Sequence, residues 1–168
     1  MQRIRAAFLT VGGLGHAPIA SGTFGSLPPV CLAFILVQFG QQGMVLELSM
    51  LLLLVIFSIA CLRFGRESEE LFGRKDPGQV VADEVAGQAI ALLWLPWAAP
   101  ESPGALAWNL AIAVASFLAF RLFDIVKPPP ARGLQRLGGG LGILIDDLIA
   151  GAMALAVVQI LFRFVLGA

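Results

Sequence analysis

The chain has 168 residues, of which 58% are hydrophobic and only 13% are charged. Soluble domains carry about 25% charged residues, so this composition is typical of an integral membrane protein. The formal net charge is zero, and no basic stripe with interleaved aromatic residues occurs, which excludes a nucleic-acid-binding function. We therefore expect a single membrane-embedded domain over residues 1–168, surrounded by membrane lipids. Nothing in the sequence implies a protein partner.

Apolar segments follow one another along the chain at residues 27–39, 44–62, 85–98, 105–123 and 141–166. A simple transmembrane helix needs about 20 apolar residues, and the second, fourth and fifth segments meet that length. The first and third segments are shorter, and Pro96 interrupts the third, so they are predicted to be tilted spans, half-helices or re-entrant pieces. The predicted fold is an all-α, polytopic membrane helical bundle with four to five membrane segments.

The basic residues indicate how these segments are oriented. If all of them cross the membrane, the N-terminus and the polar loops at 63–83 and 124–140 lie on one side, together with every Lys and Arg except Arg163. The positive-inside rule makes that side cytoplasmic. Three crossings would divide the basic loops between the two sides, so we favour five crossings, or four and one re-entrant piece. Trp94, Trp97 and Trp108 are then typical of anchors at the opposite interface.

Two adjacent acidic pairs, Asp83–Glu84 and Asp146–Asp147, lie in otherwise apolar sequence. One charge within a membrane segment costs about 2.5–3.5 kcal/mol on insertion scales, and a neighbouring like charge adds repulsion. Clustered carboxylates are commonly held by a divalent metal, which prefers oxygen ligands. Small residues follow one turn deeper, at Gly87 and at Ala150–Gly151, and would let the two helices approach closely. The alternative is that the pairs form interfacial ion pairs with arginines of the neighbouring loops.

The stretch FRLFDIVKPPPAR places a further carboxylate, Asp124, in the last turn of the fourth segment, because Pro128–Pro130 end the helix. Arg121 and Lys127 lie three residues before and after Asp124, on one helix face. One interpretation is an acidic metal ligand flanked by cations that bind a phosphate. The other is a local ion-pair triad.

The opening stretch, residues 11–26, is rich in Gly, Ser, Thr and Pro and leads directly into an apolar segment. Such a backbone before a helix N-terminus offers N–H groups and a positive dipole end to an anion. Thr23 and Ser26 add hydroxyl groups, and His16 could donate to a phosphate or transfer a proton. The alternatives are an ordinary helix entry, with Ser26 as N-cap and Pro28 in the first turn, and a plain loop role for His16.

Several signatures of other phosphate-handling and hydrolytic enzymes are absent from the sequence. Neither cysteine is followed by Arg six positions later, and the single histidine excludes lipid phosphatases that need two. No DxDx[TV], Walker A or HExxH motif occurs. The remaining candidate is a carboxylate-rich magnesium site beside an anion-binding loop.

Four stretches resemble the phosphatidylglycerophosphatase A family: ASGTFGS at 20–26, VADEVAG at 81–87, FRLFDIVKP at 120–128 and GGLGILIDDLIAG at 139–151. They occur in the family's order, although Ser21 stands where the family usually has Pro, and Val126 and Pro129 replace aromatic residues. The resemblance implies a Mg²⁺-dependent enzyme of the bacterial inner membrane whose active site faces the cytoplasm. Its reaction would remove the terminal phosphate from phosphatidylglycerophosphate, an anionic phospholipid, and leave phosphatidylglycerol.

These observations together predict the site residues. The metal ligands would be Asp83, Glu84, Asp146 and Asp147, and these four and Asp124 would be the catalytic carboxylates. Phosphate oxygens would be bound by Arg121, Lys127 and Arg132 or Arg136, with Thr23, Ser26 and His16 as further substrate-binding candidates. Attack by water and a covalent aspartyl-phosphate route are both open. The rival functions are a small ion-coupled membrane transporter, since intramembrane carboxylates also mark ion pathways, and a non-catalytic membrane scaffold.

Overall fold

The computed structural model describes residues 2–72, 77–129 and 139–167. Within these ranges the regular structure is helical: α1 (Gln2–Leu9), a 3-10 turn (Leu14–His16), α2 (Ser21–Gln38), α3 (Met44–Phe72), α4 (Ala82–Ala91), α5 (Ala105–Val126) and α6 (Gly139–Gln159), which continues as a π-helical turn (Ile160–Val165). The helices long and apolar enough to cross a membrane lie at Ser21–Gln38, Met44–Ser68, Ala105–Val126 and Gly140–Val165. The predicted all-α membrane bundle is confirmed.

The third apolar segment forms the short helix α4. Its 10 residues rise about 15 Å, roughly half the thickness of a bilayer core. The chain nevertheless continues to the opposite end of the bundle. There the Gln159 amide, at the end of α6, donates a hydrogen bond to the Trp94 carbonyl at 2.6 Å. The Ala98 N–H then donates to the Asn109 side chain, in the second turn of α5, at 2.9 Å. The chain thus passes between the two ends of the bundle five times, and α4 covers only part of the third pass.

Small side chains allow α4 to lie at the centre of the bundle, where Ala82, Ala86 and Ala89 are fully buried. A Cβ added to Gly87 would meet the Asp147 carbonyl oxygen at 2.5 Å and the Phe120 ring at 2.6 Å. In lipid, close packing of this kind is what holds helices together. The predicted close approach of the two acidic helices at these small residues is confirmed.

Helix α2 begins six residues before the apolar segment that marks it in the sequence. The residue before it is Ala20, with φ 53°, so Ser26 is not an N-cap and Pro28 and Pro29 lie inside the helix. The prediction of an ordinary helix entry at Ser26 is therefore wrong. Tight packing holds the early turns in place, since a Cβ on Gly25 would meet the Val81 side chain at 2.6 Å.

Helix α3 extends through the region predicted to be a charged loop after residue 62. Hydropathy detects only the apolar part of a helix, and residues 63–72 continue it with charged residues and few helix breakers. Arg5 of α1 packs on this extension: its guanidinium lies 2.6 Å from the Glu67 carboxylate and 5.3 Å from the Phe64 ring centre. The connection to α4 is correspondingly shorter than predicted.

The two ends of the bundle differ in character. One end carries the three tryptophans, and there Trp108 packs edge-on against Phe162 with ring centres 5.1 Å apart. The main apolar core lies toward this tryptophan end and includes Val37, Met50 and Ile112. The opposite end, called the acidic end here, carries the N-terminus of α4 and the C-terminus of α5. The predicted metal and phosphate ligands in the described residues belong to this end.

Candidate active site

Carboxylates from three helices converge at the acidic end. They are Asp83 and Glu84 in the first turn of α4, Asp124 in the last turn of α5, and Asp146 and Asp147 about two turns into α6. Asp83 is 6% exposed and Asp147 only 2%, while Glu84 is half-buried. Adjacent residues on a helix point about 100° apart, so the two members of a pair can face different neighbours.

Three of these residues, Asp83, Glu84 and Asp147, form a compact group called the metal cluster here. Each offers a carboxylate oxygen, and these atoms all lie within 4.8 Å of one another. Asp83 Oδ1, Glu84 Oε2 and Asp147 Oδ2 are buried and have no hydrogen-bond partner among the described residues. Buried, unpaired carboxylate oxygens are costly, and a hard divalent cation offsets that cost. The donor set therefore fits Mg²⁺.

Arg121 links the metal cluster to α2. Its Nη1 lies 2.6 Å from Asp124 Oδ2 and donates to Ser26 Oγ at 3.4 Å. The Arg121 Nε is buried and has no partner in the described part of the chain. Arg121 thus places a cation, with donor capacity remaining, beside the cluster.

Lys127 supplies a second cation. Helix α5 ends at Val126, as the proline run predicts, and Lys127 follows as a cap with φ 46°. Because it leaves the helix, its ammonium pairs with Asp146 of α6 rather than with Asp124. Burial alone would lower the pKa of Lys127, but the hydrogen bond to Asp146 and the nearby carboxylates raise it above its ordinary value. The ammonium is therefore charged at neutral pH.

These ion pairs bear on two of the sequence predictions. The local triad of Arg121, Asp124 and Lys127 is wrong, because the helix ends before Lys127 and only the first two pair. Asp146 was predicted as a metal ligand, and the structure directs one of its oxygens to Lys127 while Asp147 joins the metal cluster. A metal-binding role for Asp146 stays a prediction.

The candidates in the opening stretch lie at different places. Ser26 is fully buried, donates to the Gly22 carbonyl at 2.7 Å and reaches the site through Arg121. Thr23 is half-buried in the first turn of α2. His16 is exposed in the 3-10 turn and lines a separate polar cavity. Arg132 and Arg136 lie outside the described residues.

Sequence reasoning missed two groups of residues around the site. A Cβ on Gly22 would collide with Glu84 Oε1 and approach Arg121 Nη1 to 2.9 Å, so this glycine makes room for both side chains. Below the cluster, the fully buried Gln88 donates to Ser116 at 3.1 Å, and Ser116 donates to the Ala91 carbonyl at 3.0 Å. The available signal was Gln88 itself, a polar residue one turn after Glu84 in an apolar helix.

Comparison with known proteins identifies the family. The sequence model of phosphatidylglycerophosphatase A matches residues 7–162. A phosphatidylglycerophosphatase A of Haemophilus influenzae is 35% identical over 89% of this chain and 84% of that protein. The Escherichia coli phosphatidylglycerophosphatase A is 32% identical over 87% of this chain and 77% of its own length.

A further relative carries a different name. A protein of Bacteroides thetaiotaomicron named putative phosphatidylinositol-3-phosphatase is 32% identical over 92% of this chain and 91% of that protein. No solved structure matches the chain. The family model and these two relatives carry the same family name. The chain belongs to the phosphatidylglycerophosphatase A family.

Proposed function

We propose that this protein is a Mg²⁺-dependent lipid phosphatase that removes the terminal phosphate of phosphatidylglycerophosphate and leaves phosphatidylglycerol. The observation that carries the proposal is the group of three buried, unpaired carboxylate oxygens on Asp83, Glu84 and Asp147, with Arg121 and Lys127 nearby. The names of the Haemophilus influenzae and Escherichia coli relatives support the choice of substrate.

Asp83, Glu84 and Asp147 would hold the metal ion, which would supply charge neutralisation and polarise the phosphoryl oxygens. Arg121 and Lys127 would bind the remaining phosphate oxygens, because each presents a charged donor at the same end of the bundle. Their charge would be matched best by the transition state, in which negative charge is spread over the three equatorial phosphoryl oxygens.

We assign the proton-handling role to Asp124, because this carboxylate lies outside the metal cluster and pairs with Arg121 beside it. In the water route it would accept a proton as the new oxygen–phosphorus bond forms. The phosphorus–oxygen bond to glycerol then breaks, and the leaving oxygen takes up a proton. An aspartyl-phosphate intermediate, with a carboxylate as the attacking group, remains the alternative route.

The location we propose is the inner membrane, with the acidic end facing the cytoplasm. The four spanning helices support membrane insertion, and every basic residue except Arg163 lies toward the acidic end or in the connections beside it in the sequence. Asp147 is eight residues after Gly139, so it lies about 12 Å from the start of α6. A phosphate at the membrane interface is at a suitable depth for this site.

A second candidate substrate is phosphatidylinositol 3-phosphate, favoured by the name of the Bacteroides thetaiotaomicron relative. Both lipids carry a phosphomonoester on a polyol, so the same metal cluster would serve either one. The transporter alternative is less favoured, because the carboxylates gather at one end of the bundle and pair with cations. The scaffold alternative leaves the unpaired oxygens of the metal cluster without a role.

The test is phosphate release by the purified protein in detergent, with each lipid, in Mg²⁺ and in chelator. We expect release from phosphatidylglycerophosphate in Mg²⁺, loss in chelator, and a fall of about 100-fold or more in Asp124→Asn. Glu101→Gln, which changes an exposed carboxylate near the tryptophan end, is the matched control and should retain full activity. No Mg²⁺-dependent release from either lipid would contradict the proposal and favour the transporter or the scaffold.

A further inference from the structure

A polar cavity lies beside the metal cluster, between the opening loop and the segment that precedes α4. Its volume is about 360 Å³, and its walls include Gly15, His16, Ala17, Ser21 and Gly78. Cavities that bind small molecules typically measure about 300–1,000 Å³, so this one can hold a head-group fragment. The mechanism proposed above makes no use of it.

The cavity is built by two segments fixed against each other. The Ser21 hydroxyl donates to the Gly78 carbonyl at 2.6 Å. A Cβ on Gly15 would approach the Gln79 carbonyl carbon to 2.8 Å, so the two backbones are in direct contact. A wall held by such contacts is present before a ligand arrives, and preorganisation of this kind favours binding.

The cavity adjoins the site through one residue. Ser21 forms part of the wall, and the next residue, Gly22, lies against Glu84 Oε1 and Arg121 Nη1. The wall of the cavity is therefore one residue along the chain from the residue that faces Glu84 and Arg121.

The lining has a different chemistry from the cluster. The residues that form its walls in the described part of the chain offer a hydroxyl, an imidazole, an amide and backbone groups, and they include no carboxylate. Such a lining suits polyol hydroxyl groups and a singly charged phosphodiester, whereas the acidic cluster repels any anion that no cation accompanies.

The rim of the cavity points to where acyl chains would lie. Ile19, between the wall residues Pro18 and Ala20, is 79% exposed, and Phe24 on α2 is 44% exposed. In a membrane bundle, large exposed apolar side chains face lipid. The cluster, Gly22, the cavity and the apolar rim thus follow one another at the acidic end.

From this order we propose that the cavity binds the polyol and phosphodiester of the lipid head group and so selects which head group is hydrolysed. The inference rests on the proposed function and adds the part of the substrate that the cluster does not contact. Phosphatidylglycerophosphate and phosphatidylinositol 3-phosphate share the required sequence of phosphomonoester, polyol, phosphodiester and acyl chains. They differ in the polyol, so a cavity that contacts the polyol sets the preference between them.

The experiment uses the purified full chain in mixed micelles with whichever of the two lipids the wild type hydrolyses. Ala17→Leu fills the cavity, and His16→Ala removes an exposed wall residue without affecting the core. Ala107→Leu, on the wall of the cavity at the tryptophan end, is the matched control. The soluble probes are glycerophosphoglycerol, which lacks the terminal phosphate, and inorganic phosphate.

We expect Ala17→Leu to raise KM for the lipid and the inhibition constant of glycerophosphoglycerol by about 10-fold or more, as a clash in a binding pocket does. Inhibition by inorganic phosphate should stay within about 2-fold, since it reports only the cluster. His16→Ala should raise the inhibition constant of glycerophosphoglycerol about 2- to 10-fold, which corresponds to the loss of one neutral hydrogen bond. Ala107→Leu should change neither constant.

An unchanged KM in Ala17→Leu, with the thermal midpoint of the wild type, would overturn the proposal. An equal rise in the inhibition constants of glycerophosphoglycerol and inorganic phosphate would also overturn it, because the substitution would then act on the cluster. If Ala17→Leu does not fold, an unchanged inhibition constant of glycerophosphoglycerol in His16→Ala is by itself enough to overturn the proposal. No phosphate release by the wild type is a separate result that contradicts the proposed function and removes this inference with it.

Discussion

Gly151 of α6 lies so close to Gly87 of α4 that a Cβ on Gly151 would collide with the Gly87 carbonyl group. This contact sets the distance between the two helices one turn below their acidic pairs. Asp83 and Asp147 can share a ligand only because the backbones meet here. The geometry of the site therefore depends on two residues that carry no functional group.

Gly151→Val should destabilise the protein and reduce its activity, because the larger side chain forces α4 and α6 apart. Overpacking typically costs about 1–3 kcal/mol, which should appear as a lower thermal midpoint in detergent. Ala152→Val adds a side chain of the same shape at the next, exposed position of α6 and is the control. Equal midpoints and activities for the two variants would show that the glycine contact does not matter.

Lys127→Gln should lower phosphate release by about 10- to 150-fold, the equivalent of one charge-assisted hydrogen bond of roughly 1.5–3 kcal/mol. The substitution also leaves the 3%-exposed Asp146 side chain without its cation, so some loss of stability is expected. The two effects separate in the double variant Lys127→Gln/Asp146→Asn, which restores charge balance. We expect the double variant to regain the thermal midpoint but not the activity.

A purely structural Lys127 gives the opposite pattern. In that case the double variant recovers both the midpoint and the catalytic rate per folded molecule. That result would remove Lys127 from the phosphate site and leave Arg121 as its cation.

If all five passes of the chain cross the membrane, its two termini lie on opposite sides. We expect reporter tags at the N-terminus to show a cytoplasmic location and tags after residue 168 to show the other side, since the basic residues gather toward the acidic end. A tag between residues 100 and 104, in the connection before α5, should match the C-terminal one. A cytoplasmic signal from the C-terminus would contradict the five-pass arrangement.

The sequence identifies the acidic pairs, the small residues beneath them and the end of α5 correctly, because each carries a local physical signal. Asp83 and Asp147 are unusual in apolar sequence, and the prolines after Lys127 stop a helix. The sequence does not indicate that both members of the first pair belong to the metal cluster but only Asp147 of the second. Adjacent helical positions differ by about 100°, so only one member of the second pair needs to face the cluster. Tertiary contacts decide which one: Asp146 pairs with Lys127, and Asp147 joins the cluster.

The ends of α2 and α3 are also set by tertiary contacts. Hydropathy starts α2 at residue 27, but the contacts of Gly22 and Gly25 with Glu84, Arg121 and Val81 extend the helix back to Ser21. Close contacts between glycine and a distant side chain have no local signature. The cavity beside the site depends on other long-range contacts, of Ser21 with Gly78 and of Gly15 with Gln79, and is equally hidden in the sequence.

The most direct test of the metal cluster is the Mg²⁺ concentration that half-activates phosphate release, measured for matched Asp→Asn variants. Asp83→Asn and Asp147→Asn remove one proposed ligand charge each, whereas Asp146→Asn removes a neighbouring charge that pairs with Lys127. We expect the first two to raise the half-activating Mg²⁺ concentration by about 100-fold or more, or to abolish activity. Asp146→Asn should raise it by about 10-fold or less. Half-activation at the wild-type Mg²⁺ concentration in both Asp83→Asn and Asp147→Asn would contradict the cluster as the metal site.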